Sequence, residues 1–142
     1  MKYVLDTNVF NRVLDGSFKL STLTDACSFV ATTIQVRELE AAPEPRRAAL
    51  LATFAEVAPD LAPAAFSFDI PGAGFDEGEW GSDDRVTKLR GALEALKPKF
   101  NNWQDALIAG VALKNGYGLA TADGTLARVA ANFGIKVYHL AT

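Results

Sequence analysis

The sequence is poor in the residues that usually announce chemistry: its 142 residues include one cysteine, Cys27, and one histidine, His139. A single thiol forms no internal disulfide and cannot build a thiolate zinc site. Cys27 therefore reads as a small buried hydrophobe, and His139, placed beyond the expected last strand, as a surface or tail residue. No apolar run approaches the ~20 residues that a membrane span needs. The N-terminus turns polar at Asp6, too early for a secretory signal, so cytoplasm is the expected compartment. An excess of positive charge is also missing, with 14 Lys and Arg against 17 Asp and Glu and a net charge of −3. That balance argues against a module holding nucleic acid by charge alone. It leaves room for a carboxylate site, because bound cations reverse the local sign of the field.

What is present is ordinary globular material, 49% apolar and 22% charged, read as one domain over residues 1–142. Short apolar strands alternate with helical patterns, the signature of an α/β domain with a parallel sheet. Strands are expected at 3–5, 29–31, 66–70, 117–121 and 135–138. Helices are expected at 9–14, 21–27, from Thr32 or Thr33 through Glu38, from near Pro45 to Ala58, from Asp83–Asp84 to Leu96, from Asn101–Asn102 to Asn115, and from Asp123 to Phe133. Residues 71–82 (PGAGFDEGEWGS) are glycine-rich, acidic and aperiodic, and read as a loop or flap of unusual length.

Four carboxylates stand out. Asp6 closes an apolar strand and Asp123 lies two residues past another. In open α/β sheets ligands bind outside the carboxyl ends of the strands, where strand order reverses. Taken singly, each of these aspartates is better explained as a helix N-cap than as a ligand, because capping alone accounts for Asp at such a position. Asp105 shares helical spacing with Ile108, Ala109 and Ala112, which sets it at the head of a buried stripe. A capping box explains its position but not its facing, and a buried carboxylate costs on the order of several kcal/mol unless a cation or hydrogen bonds compensate. Glu38 lies on a face with Ile34, Ala41 and Ala42, whereas Glu40 points elsewhere and reads as a solvated charge. Oxygen ligands of this kind suit Mg²⁺ or Mn²⁺ rather than zinc.

The segments VLDTNVF, TTIQVRELE, DALIAGVALKNGYGLATAD and GIKVY resemble the PIN-domain ribonucleases, and in particular the VapC-like toxins of toxin–antitoxin pairs. The resemblance spans residues 2–40 and 103–138. It implies a three-layer α/β/α sandwich with a central parallel sheet of order 3-2-1-4-5. It implies that Asp6, Glu38, Asp105 and Asp123 are the acidic catalytic residues, with Asp6, Asp105 and Asp123 as metal ligands, and that Thr7, Asn8 and Thr121 hold them in place. The implied activity is Mg²⁺- or Mn²⁺-dependent endoribonuclease cleavage, the implied partners a small antitoxin protein and a second copy of the chain. No family motif is found between Leu50 and Lys99, and the acidic segment 71–82 departs from the short connection expected there.

Other readings stay open. A PIN-like domain of RNA processing or decay, without an antitoxin, fits the same residues. A Mg²⁺-binding receiver-type domain would need an acidic pair near the first strand and a lysine after a late strand; here only Asp6 and the early-placed Lys136 are available. Arg12, Arg37 and Arg128 are candidates for RNA contact, and the run Arg85, Lys88, Arg90, Lys97, Lys99 is either a solvated helix face or an RNA-facing one. Trp103 reads as core or as a base-stacking surface. Trp80 reads as an anchor for a partner or as folded back on the domain.

Overall fold

In a computed structural model of the chain, residues 1–57, 59–62, 85–98 and 102–140 are described. Strand β1 (Lys2–Leu5) carries Val4 and Leu5 fully buried, as expected of a strand covered on both faces. It runs parallel to β2 (Ser28–Ala31) on one side and to β4 (Gly118–Thr121) on the other. Short β3 (Asp60–Leu61) pairs with β2, and β5 (Val137–His139) with β4, also in parallel. The order is β3-β2-β1-β4-β5, the order that the resemblance implies.

Alternation along the strands divides the core in two. Tyr3, Leu5, Ala31, Ala120 and Leu140 face one layer, with Val9 and Phe10 of α1 (Thr7–Leu14), Leu39 of α2 (Thr33–Glu40) and Leu50 of α3 (Arg46–Val57). Rings of Phe10 and Phe54, 5.2 Å between centroids, join α1 to α3. Val4, Val30 and Leu119 face the other layer, with α4 (Arg85–Leu96), α5 (Asn102–Asn115) and α6 (Gly124–Asn132). Helix α5 is buried almost throughout from Asp105 to Ala112, so its apolar composition extends around the helix rather than along one stripe. Gly110 permits the close approach of α4, since a Cβ there would lie 2.8 Å from Val86 Cγ2.

Several expectations need correction. The third strand in chain order, at the edge of the sheet, is Asp60–Leu61, whose two exposed residues show no period; residues 66–70, expected as that strand, lie outside the described residues. So do the 71–82 segment with Trp80, and the Asp83–Asp84 and Asn101 caps. In place of a helix over 21–27 there is a single 3-10 turn at Leu20–Thr22. Cys27 is exposed rather than buried. It precedes β2 at the sheet's rim, where its N–H donates to Met1 O at 2.8 Å. The last strand starts later than expected because Gly134, at φ 88°, and Ile135, whose N–H returns to Ala130 O, still belong to the end of α6. His139 consequently lies inside β5, not beyond it. No described helix is long and apolar enough to cross a membrane.

Candidate active site at the carboxyl ends of β1 and β4

Beyond Leu5 the chain makes one further ladder bond, Asp6 N–H to Ala120 O at 3.0 Å, and then turns into α1. Asp6 is the N-cap of that helix, its carboxylate accepting from Thr7 N at 2.8 Å. Two more donors hold the other oxygen: Asn8 Nδ2 at 3.2 Å and Thr121 Oγ1 at 2.7 Å. Asp6 is thus the N-cap that its position allowed, and the same carboxylate is tied to Asn8 and Thr121 at the strand ends. Thr121, wholly buried, also accepts from Asp123 N at 3.0 Å, which commits its proton to Asp6. Asn8 Oδ1 accepts from Ala122 N at 3.0 Å, so Asn8 ties α1 to the turn after β4.

Glu38 reaches this group from the opposite layer. Thr7 Oγ1 donates to Glu38 Oε1 at 2.8 Å while Thr7 N binds Asp6. One residue thus spaces two carboxylates. The position of α2 is set by Gln35, a fully buried residue that the sequence reading passed over. Its Oε1 accepts from Thr32 N at 2.9 Å and from the Thr32 hydroxyl, and Thr32 Oγ1 accepts from Ile34 N at 3.1 Å. Its Nε2 donates to Leu5 O at 3.0 Å, fastening α2 to the end of β1. The signal was the T-x-x-Q capping box at Thr32–Gln35. Glu40, by contrast, is exposed.

Asp105 stands in the first turn of α5 and is only 5% exposed, as is Asp6. The negative charges of Asp105 and Glu38 both bear on Asp6. Burial first, then those two neighbours, raise the Asp6 carboxyl from 3.8 to about 7, against the opposing hydrogen bonds of Thr121 and Thr7. Asp123 is held differently. It caps α6 through Oδ1, which accepts from Thr125 N at 2.9 Å and Leu126 N at 3.2 Å. Its link to Asp6 runs through the Thr121 hydroxyl. The arginines stand on three different helices, Arg12 in the last turn of α1, Arg37 exposed on α2 and Arg128 exposed on α6. Trp103 packs partly buried against the core with the Arg90 guanidinium 4.6 Å over its ring, as a core residue would.

Among the described residues no group of three or more His, Cys, Asp or Glu side chains closes into a cage for a metal ion. The donor set nevertheless fits a hard, hydrated cation. Mg²⁺ retains several waters and is usually bound by one or two carboxylates together with substrate phosphate. Buried like charges that raise one another's pKa are relieved by such a cation.

No protein-family model matches the chain, and no curated protein does. Solved structures match over nearly its whole length. A chain of VapBC2 from Rickettsia felis, solved bound to a DNA fragment from its promoter, aligns with TM-score 0.58 and 17% identity, covering 99% of this chain and 100% of that one. A chain of VapBC-5 from Mycobacterium tuberculosis, a member of the VapBC family of toxin-antitoxin systems, aligns with TM-score 0.58 and 22% identity over 97% and 98%. A domain of a functionally unknown protein from Methanocaldococcus jannaschii aligns with TM-score 0.52 and 17% identity over 99% and 91%. At such identities the likeness concerns architecture: the chain has the PIN-like α/β/α fold, shared with structures of VapBC toxin–antitoxin systems.

Proposed function

We propose that the chain is a Mg²⁺- or Mn²⁺-dependent endoribonuclease and the toxin of a toxin–antitoxin pair. The observation that carries the nuclease reading is Asp6: buried, fixed by three hydrogen bonds, and raised to about 7 in part by two further carboxylates. Such crowding has a purpose if a divalent cation and a phosphodiester complete the site. Asp6 and Asp105 would hold the cation, with Asp123 and Glu38 completing or orienting its surroundings. When bound, such a cation would supply positive charge to the phosphodiester and make water more acidic. The chain's own part is positional. Thr121 and Thr7 fix the Asp6 oxygens, Thr7 holds Glu38 at a set spacing from Asp6, and Gln35 locks the helix that carries Glu38.

The toxin reading is supported by the fold shared with VapBC structures along almost the entire chain. It brings a small antitoxin and a homodimeric assembly as partners. A receiver-type reading loses its support, because Lys136 precedes β5 and pairs with Asp25 instead of reaching over the strand ends.

Purified protein incubated with single-stranded and structured RNA should cleave in Mg²⁺ or Mn²⁺ and stop in EDTA. Cleavage that persists in EDTA would sink the metal-dependent mechanism. Expressed alone, the chain should arrest growth, and co-expression of the small neighbouring reading frame should relieve the arrest. RNA cleavage without growth arrest would instead assign the chain to RNA processing.

A further inference from the structure

The sheet register places the sole histidine beside the carboxylates. Leu5 pairs with Ala120 and Thr121 with His139, and the ladder continues through Asp6 N to Ala120 O and Leu140 N to Thr121 O. Asp6, Thr121 and His139 therefore form one row across the carboxyl ends of three adjacent strands. Neighbouring strands lie about 4.8 Å apart, so the Asp6 and His139 backbones are separated by about 10 Å.

Alternation also settles the face. Val4, Leu119 and Val137 pack in the layer of α4, α5 and α6, whereas Leu5, Ala120, Tyr138 and Leu140 pack in the other. Two residues on from the first set, Asp6, Thr121 and His139 share the α5–α6 side, where Asp105 also stands. The imidazole lies against the first residue of α6, with Cε1 3.6 Å and Nε2 3.8 Å from where a Cβ of Gly124 would be. Gly124 directly follows Asp123, so the imidazole lies next to the acidic residue that caps α6. His139 is exposed, and its imidazole has no hydrogen-bond or ion-pair partner among the described residues.

We propose that His139 is a substrate-contacting residue that donates a hydrogen bond to a backbone phosphate of the RNA, one flanking the phosphate that is cut. The proposal rests on the nuclease reading and extends it to a subsite. An exposed donor at the rim suits this task. The carboxylates repel phosphate unless a cation intervenes, and a neutral or protonated imidazole beside them offers the flanking phosphate an N–H.

The test compares wild type, His139→Ala and His139→Gln. Cleavage kinetics of a labelled RNA are measured in Mn²⁺, and affinity for the same RNA by fluorescence anisotropy in Ca²⁺, which offsets the carboxylate charge. His139→Ala should raise KM about tenfold, the worth of one hydrogen bond to a charged group. Its kcat should stay within about twofold, its RNA affinity should fall in parallel, and its thermal stability should not change. His139→Gln, which keeps a donor, should recover most of the loss. Equal KM and equal RNA affinity in wild type and His139→Ala would overturn the contact while leaving the nuclease standing. An affinity loss in His139→Ala with no cleavage by any form would overturn the nuclease reading and keep the contact. Wild type that fails to bind RNA would overturn both.

Discussion

A single hydroxyl illustrates how tightly the site is bound into the fold. Thr121 Oγ1 donates to Asp6 and accepts from Asp123 N, so one buried side chain serves two acidic residues on two elements. Thr121→Val keeps the shape and removes both bonds. A buried group left unsatisfied costs about 1–3 kcal/mol, and urea denaturation should show a loss of that size together with weakened cleavage. Unchanged stability would mean that the two bonds are not formed in solution. Asp6→Asn should lower cleavage by about 100-fold or more, without unfolding the protein, because the amide oxygen still caps α1. Two burials were legible in the sequence: Asp105 is buried in the first turn of α5, although that helix is buried all round and has no single stripe, and Glu38 is half-buried where Glu40 is exposed. Cys27 was misread, because exposure at a strand end depends on where the strand begins, and one residue of shift moves a side chain in or out; His139 is at the surface as expected, but at the end of β5 instead of beyond it.

Among the elements, α2 carries the clearest lesson. Its capping box uses the same Gln35 that donates to Leu5 O, so local helix chemistry also sets the helix against β1. Gln35→Ala removes the reciprocal half of the cap and leaves the Leu5 carbonyl without that donor. It should cost about 1–3 kcal/mol in denaturant unfolding. It should also reduce cleavage, since Glu38 rides on the same helix. Cleavage and stability both at wild-type level would contradict this account of α2. Helix α5 and the central strands were readable because elements covered on all sides are written as continuous apolar runs, long for the helix and short for the strands. The Asp60–Leu61 strand was not, since two exposed residues make no pattern and their pairing is decided by β2. The late start of β5 depends on a glycine with positive φ ending α6, a backbone choice that apolar content does not reveal.

At the scale of the whole molecule, the β3-β2-β1-β4-β5 order makes β1 and β4 neighbours and brings Asp6 and Thr121 together at their carboxyl ends. Concentrating carboxylates there has a cost that pH exposes. The folded Asp6 carboxyl is raised from 3.8 to about 7. Between those values the folded state holds a proton that the unfolded state has lost. This group's contribution to stability is therefore full below about pH 4, declines as pH rises, and is lost above about pH 7. Denaturation in EDTA from pH 4 to 8 should show wild type losing on the order of a few kcal/mol more than Asp6→Asn across that window. Equal slopes would remove Asp6 as the source. Divalent cation should restore stability at neutral pH and do so less at pH 5, where the proton competes.

Whether these carboxylates hold a divalent cation is read by calorimetric titration of the cation-free protein with Mn²⁺ at pH 7.5. Saturable binding should appear in wild type and weaken by about tenfold or more in both Asp6→Asn and Asp105→Asn, with the variants still folded. Wild-type Mn²⁺ affinity retained in both variants would contradict the account.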